Sequence, residues 1–314
     1  MKTLLLGGTG YLGRHLTRHL VQSGHPVTSF IRRENAAETV RGLGARPVLG
    51  SLAEPGSLAP SIAEAEAVIF AAQLMLDEER RAVAALLEQM EGTGKTFIFT
   101  SGTSILSRAT DGDWDENSFG EDDSFEPRRQ IAPRLEIEKM VRAAAERGVR
   151  AMCVRPSLVW GHGGSQILRE FYHSARSQGA VCYVGRGLNV YSSVHVDDLA
   201  DIYRLMIERG SPGALYHAVS GETGFGAIAR EIARLLGVGI RSVTVEEGCE
   251  IWDRFMSRIV LSSCSRSRAP RTRAELGWIP SSDRLDICSD LSHRNYIEAG
   301  DRVAPSWVGT ASAS

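Results

Sequence analysis

The sequence predicts an α/β fold: a Rossmann-type, doubly wound parallel sheet with helices on both faces and a smaller C-terminal substrate lobe. Three observations predict it. Short apolar runs recur between helix-spaced segments from Thr3 to Arg155, and strands that alternate with helices join into a parallel sheet through right-handed crossovers. The first run ends in the glycine cluster Gly7-Gly8-Thr9-Gly10-Tyr11-Leu12-Gly13, which opens directly into a helical pattern. Beyond Pro156 the rhythm loosens, which places a less regular lobe in the second half.

Taken in order, Thr3 to Leu6 reads as a buried strand, the glycines as a tight turn and Tyr11 to Gln22 as a helix with apolar residues at helical spacing. Pro26 to Ile31 gives a second strand, closing on Arg32-Arg33, and Arg46 to Gly50 a third. The alternation continues with strand Ala67–Ala72, helix Glu78–Glu91, strand Thr96–Thr100, helix Ile131–Glu146 and strand Arg150–Arg155. Further on come helices at Ile167–Gln178, Asp197–Arg209 and Phe225–Leu236, with strands at Ala180–Val184, Ala214–Val219 and Ile240–Val245. Helices near Glu250–Leu261, Arg271–Leu276 and Arg284–Ile297 complete the pattern. Residues 1–161 are expected to form the dinucleotide-binding domain, with 190–220 returning to it. The substrate lobe takes 162–189 and 221–300, and 301–314 is read as a mobile tail.

Thr110 to Arg129 has no apolar periodicity and carries eight carboxylates, among them Asp115, Glu121, Asp122 and Asp123. A long acidic loop inside an α/β unit is either a functional lid or a solvated excursion, and its place after a sheet strand favours ends that border the cleft.

Composition removes several function classes. With 36 basic and 38 acidic residues the net charge is −2, so nothing favours electrostatic binding to nucleic acid or to an anionic membrane. No apolar run approaches the roughly 18 residues of a membrane span, and Met1-Lys2 leads straight into a strand, so a cytoplasmic protein is expected. The five Cys lack metal-ligand or disulfide-framework spacing. His15 and His19 stand at i, i+4 but without the Glu of a zincin motif, so no metal is expected.

The glycine spacing is G-x-x-G-x-x-G, set between a strand and a helix. Such a turn needs backbone without Cβ where it is tight, where it approaches a pyrophosphate and where helix meets strand. Gly7, Thr9, Gly10, Tyr11, Leu12 and Gly13 are therefore the expected dinucleotide contacts, with Ala71 lining the same crevice. A site selective for NAD would carry an acidic residue after the second strand, where Arg32 and Arg33 stand instead. Guanidinium forks suit a 2′-phosphate, so NADP is the expected cofactor, with NAD as the alternative. Gly92-Thr93-Gly94-Lys95-Thr96 mimics a P-loop tail, but it lies between helix and strand, the reverse of the P-loop order.

Four later segments join the glycine loop: Phe97-Ile98-Phe99-Thr100-Ser101-Gly102, Arg155-Pro156-Ser157-Leu158-Val159-Trp160-Gly161, Val194-His195-Val196-Asp197-Asp198-Leu199-Ala200 and Glu275-Leu276-Gly277-Trp278-Ile279-Pro280. Together they resemble an atypical or extended short-chain dehydrogenase/reductase of the NAD-dependent epimerase/dehydratase type. By that resemblance Pro156 lies beside the nicotinamide. The family's Ser, Tyr and Lys, the last two spaced Y-x-x-x-K, would fall on Gly102, Gln130 and Arg134. A rival register places Lys139 at the lysine and Leu135 at the tyrosine. Either way the phenol is replaced. Arg134 can still bond ribose hydroxyls, whereas Gln130 has no usable pKa. Thr103 and Ser104 could supply a hydroxyl to the substrate, and His162, just past a strand end, is a candidate substrate contact. Tyr172, Tyr183, Tyr191 and His173 are further proton-donor candidates, while His195 reads as organising backbone.

The resemblance implies an NADP(H)-dependent oxidoreductase acting on a small-molecule metabolite without the usual Tyr. Two alternatives stay open: a non-redox isomerase, dehydratase or cyclase on the same fold, and a cofactor-sensing regulatory protein. The expected partner is a small-molecule substrate, with a homodimer left open.

Overall fold

Apolar residues at every position of a short run can be buried only if both faces of the strand are covered, and all four residues of the first strand are buried. The computed structural model describes residues 1–298. Along the first third β1 (Thr3–Leu6), α1 (Tyr11–Gln22), β2 (Val27–Ile31), α2 (Ala37–Gly42), β3 (Arg46–Leu49), α3 (Ala59–Glu64), β4 (Ala67–Phe70), α4 (Leu76–Met90) and β5 (Thr96–Thr100) alternate. There follow β6 (Arg108–Ala109), α5 (Ala132–Ala143), β7 (Arg150–Pro156), β8 (Leu158–Trp160), α6 (Gln166–Gln178), β9 (Ala180–Val184), β10 (Val190–His195), α7 (Val196–Arg209) and β11 (Leu215–Ala218). The last third holds β12 (Gly221–Gly224), α8 (Phe225–Leu236), β13 (Gly239–Val243), α9 (Val245–Ile251), β14 (Ser263–Cys264), α10 (Pro270–Leu276) and α11 (Arg294–Ile297).

Seven strands form one parallel sheet in the order β11-β7-β5-β4-β1-β2-β3. The chain winds outward from β1 through β2 to β3, then returns to β4 and winds the other way. That reversal opens a crevice between the carboxyl ends of β1 and β4, where doubly wound sheets take ligands. Leu16 and Leu20 of α1 share one core with Leu199, Tyr203 and Met206 of α7, while Leu86 of α4 and Val141 of α5 belong to the core that also holds Phe70 and Phe99. A third core, built around Phe171, Tyr172, Phe225 and Trp252, belongs to the second half. Three small sheets, β12-β10-β8, β13-β9 and β14-β6, frame it.

Several boundaries differ from the sequence expectation for local reasons. Instead of one helix over Glu250–Leu261, a capping box of Thr244 and Glu247 starts α9 early, and after a break at Trp252 the chain winds as a π-helix over Met256–Leu261. Arg284–Ile297 is broken into short turns because the Asp286 carboxylate and the His293 ring capture the backbone N–H groups of Cys288 and Asn295. The helix expected to reach Glu146 ends at Ala143 and closes through a 3-10 turn at Gly148, whose φ is 75°. Strands β6, β10, β12 and β14 lie beyond the sequence expectation. The expected tail, 301–314, lies outside the described residues.

The acidic segment is a loop, as expected, and it is strapped down along its length. Glu121 is 6% exposed and accepts hydrogen bonds from the backbone N–H groups of His217, Arg271 and Thr272. Arg271 bonds Asp122, Arg268 lies 2.6 Å from Asp123, and the Arg266 guanidinium stacks on Trp114 at 4.5 Å. Lys95 of the P-loop-like segment donates to the carbonyls of Ile62 and Ala63, both at 2.7 Å, and so finishes α3.

Candidate dinucleotide site

Each glycine of the first turn can be tested by asking what a Cβ would meet. Gly7 has φ +102°, and a Cβ there would lie 2.6 Å from Ala71 O. At Gly8 it would collide with Ser29 Oγ, and at Gly13 with Gly7 O, both at 2.1 Å. These three positions are closed by the protein itself. At Gly10 a Cβ meets only Gly7 O, at 3.4 Å, and the residue is exposed. Gly10 also caps α1, whose first turn has neither a side-chain cap nor an acidic residue. The N–H groups there are free to face an anion, with the helix dipole behind them. Ala71 stands across the crevice, its N–H donating to Leu6 O at 2.8 Å.

Tyr11 and Leu12 are half-buried, and Leu12 packs against the core. The Tyr11 phenol donates to Gly161 O at 2.7 Å and its pKa is pushed far up by burial, so the ring is a strut between α1 and the loop after β8. Thr9 is half-buried, and its carbonyl accepts from Arg14 Nε at 2.9 Å. Arg32 and Arg33 follow β2, the strand beside β1; both are exposed, and neither makes an ion pair among the described residues.

Beyond β5, Gly102 faces the end of β7: a Cβ there would stand 3.8 Å from both Pro156 O and Ser104 Oγ. Thr103 is 1% exposed, and its Oγ1 has no hydrogen-bond partner among the described residues. Gln130 is exposed in the turn before α5, so the count in fours from Glu138 leaves the helix before reaching it. Arg134 lies on α5 with its guanidinium 3.1 Å from Glu79 of α4. Burial, opposed by that guanidinium, raises the Glu79 carboxyl to about 7. Lys139, the rival lysine, is on the surface beside Glu136.

The structure joins His162 to His15 and Asp197. Its Nε2 lies 2.8 Å from Asp197 Oδ2, and its ring stacks on His15 with centroids 4.7 Å apart. His195 organises backbone, its Nδ1 accepting from the N–H of Asp197, and burial lowers its pKa to about 4. Tyr172 and Tyr191 are core aromatics, stacked on Tyr296 and Phe225, and burial raises both phenols, Tyr191 to about 12. His173 Nε2 lies 3.0 Å from Ile251 O.

Residues 3–219 match the model of the NAD-dependent epimerase/dehydratase family. The chain belongs to that family. This epimerase/dehydratase-family protein is 30% identical over 305 residues to an uncharacterized protein of Schizosaccharomyces pombe, covering 92% of this chain and 99% of that one. It is 32% identical over 231 residues to a 2-alkyl-3-oxoalkanoate reductase of Stenotrophomonas maltophilia, 68% of this chain and 67% of the relative. Among solved structures, a dTDP-glucose 4,6-dehydratase of Bacillus anthracis in complex with NAD superposes with a TM-score of 0.75 at 18% identity, over 94% and 96% of the two chains, and shows the shared fold. The motif resemblance and the Rossmann-type sheet are thereby borne out, and the protein is an NAD(P)-dependent enzyme of this family. No helix among its described residues is long and apolar enough to cross a membrane.

Sequence reasoning missed Glu79 in this family member. The signal was there: Glu79 occupies the position on α4 that leads Ala82, Val83, Leu86, Leu87 and Met90 along the buried face. A carboxylate on an apolar stripe needs a partner, and α5 supplies it.

Proposed function

We propose that the protein is an NADP(H)-dependent oxidoreductase that reduces a small carbonyl metabolite without a catalytic tyrosine. The observation that carries this reading is the open first turn of α1 at Gly10, together with Arg32 and Arg33 one strand away, which pair with no carboxylate among the described residues. The turn fits a pyrophosphate and the guanidiniums fit a 2′-phosphate. Bound there, the dinucleotide would supply a hydride. On the protein's side, Gly7 and Gly13 let the turn close on itself and Gly10 would give the phosphates room, Ala71 and Pro156 would wall the crevice, and Arg134, paired with Glu79, would bond ribose hydroxyls. Beyond β5, the half-buried Ser104 would orient the substrate oxygen, with the buried Thr103 beneath it.

The kinship with a 2-alkyl-3-oxoalkanoate reductase supports a 3-oxo acid or similar ketone as substrate. All five thiols are free, which is compatible with a cytoplasmic setting. A second, non-redox reading is favoured by Gln130, an exposed amide that cannot exchange a proton where the resemblance expects a phenol. The deciding experiment mixes the purified protein with NADPH and a series of 3-oxo acids while following absorbance at the nicotinamide band. Loss of NADPH absorbance supports the reductase. Substrate conversion with unchanged absorbance establishes the non-redox enzyme instead.

A further inference from the structure

We propose that His15, His162 and Asp197 form a binding site for a divalent transition-metal ion of the zinc, cobalt or nickel class. The site clamps α1 to the loop after β8 and to the first turn of α7. Three segments far apart in sequence bring one donor each to one place. His15 Nδ1 lies 3.0 Å from Asp197 Oδ1, His162 Nε2 lies 2.8 Å from Asp197 Oδ2, and all three donor atoms fall within 4.8 Å of one another. With bonds of about 2.0–2.2 Å, neighbouring ligands of one ion stand about 3.0–3.5 Å apart, octahedral ions at the short end and tetrahedral ions at the long end. The two carboxylate contacts lie at or just under the short end of that range, and a small opening of them together with a closing of the imidazoles on each other completes the set.

The loop that carries His162 is built to present this one side chain. Its sequence is Gly161-His162-Gly163-Gly164, and His162 holds φ +53° between Gly161 at +117° and Gly163 at +65°. The left-handed region is disfavoured for a residue with a Cβ and persists only where its surroundings impose it. Here they do. The Asp290 carboxylate accepts from the N–H groups of Gly161 and Gly163, Asn295 Nδ2 donates to His162 O, and the Tyr11 phenol donates to Gly161 O. The result is an imidazole stacked on His15, with its side chain 51% exposed.

Two imidazoles and one carboxylate make a nitrogen-rich set that suits borderline first-row ions, whereas magnesium and calcium prefer oxygen donors. For ligation each ring must carry its proton on the nitrogen away from Asp197, Nε2 in His15 and Nδ1 in His162. The Arg284 guanidinium also faces Asp197 Oδ2, at 3.8 Å, and the exposed side of His162 leaves the remaining positions to water. The nearby histidines do not share the site: His195 Nδ1 is taken by the N–H of Asp197, and His19 lies beside Asp201, at 3.3 Å.

Zn2+ titrated calorimetrically into the full chain, and Co2+ followed by visible absorption, test the proposal. One equivalent should bind with a dissociation constant below about 1 mM and should raise the melting temperature. His15→Ala and His162→Ala should each weaken binding at least about tenfold and cancel the thermal shift, while His19→Ala and His293→Ala leave both unchanged. Circular dichroism of the metal-free variants checks that they fold. Absence of saturable binding in the wild type overturns the site. So does a His19→Ala loss equal to that of His15→Ala, which would mark adventitious binding to the surface of α1.

Discussion

Glu79 and Arg134 form an ion pair between α4 and α5 in which the carboxylate is 1% exposed, the guanidinium is only partly covered, and the N–O distance is 3.1 Å. Burial outweighs the guanidinium and lifts the Glu79 carboxyl from its ordinary 4.5 to about 7. Between those values the folded protein holds a proton that the unfolded chain has released. Stability should therefore fall as pH rises from about 4.5 to about 7, by up to about 3 kcal/mol from this group alone. Glu79→Gln should flatten that stretch of the profile, which urea melts at a series of pH values will show. An unchanged slope would mean that Glu79 stays ionised.

Cofactor choice should reside in the pair after β2. With Arg32 and Arg33 both changed to Ala, NADPH affinity should drop by about tenfold to a hundredfold, while NADH affinity changes little, because only the 2′-phosphate loses its partners. Calorimetry with both dinucleotides reads the difference. Tighter NADH binding by the wild type would refute the phosphate fork.

Gly10 and Gly13 should separate binding from folding. Gly13→Ala places a Cβ 2.1 Å from Gly7 O, a backbone atom that cannot move aside, and should lower stability by about 1–3 kcal/mol. Gly10→Val extends into open space, so the thermal melt should stay close to that of the wild type while dinucleotide affinity is lost. Normal affinity in Gly10→Val would remove the pyrophosphate from this turn.

Arg134→Ala should weaken dinucleotide binding about tenfold if that cation meets the ribose. Unaltered affinity would show that the cation serves Glu79 alone and that the register through Gln130 and Arg134 is misplaced.

The acidic loop should matter through one residue. Glu121→Ala leaves the N–H groups of His217 and Thr272 without an acceptor inside the protein and should cost about 2–4 kcal/mol in chemical denaturation. Asp123→Ala removes an exposed pair with Arg268 and should cost less than about 1 kcal/mol. Equal losses would contradict the burial of Glu121.

The amino-acid sequence by itself determined the alternation of β1 through β5 and β7, the glycine turn before α1 and the basic pair after β2. Each is a local pattern: apolar runs that must be buried, glycines where no Cβ fits, and charges left at a strand end. Membership of the epimerase/dehydratase family was legible in the same way, from motifs whose order survives in the chain. Tertiary structure alone decided which side chains meet. His15 and His19 share a helix face, yet each turns to a different carboxylate of α7, Asp197 and Asp201, because α1 packs against α7 through the core formed by Leu16, Leu20, Leu199 and Tyr203. The partner that stacks on His15 is His162, 147 positions away in the chain. Spacing along a sequence reports neighbours within one element, whereas contacts between elements depend on how apolar faces pack, and that is settled only when the whole core closes.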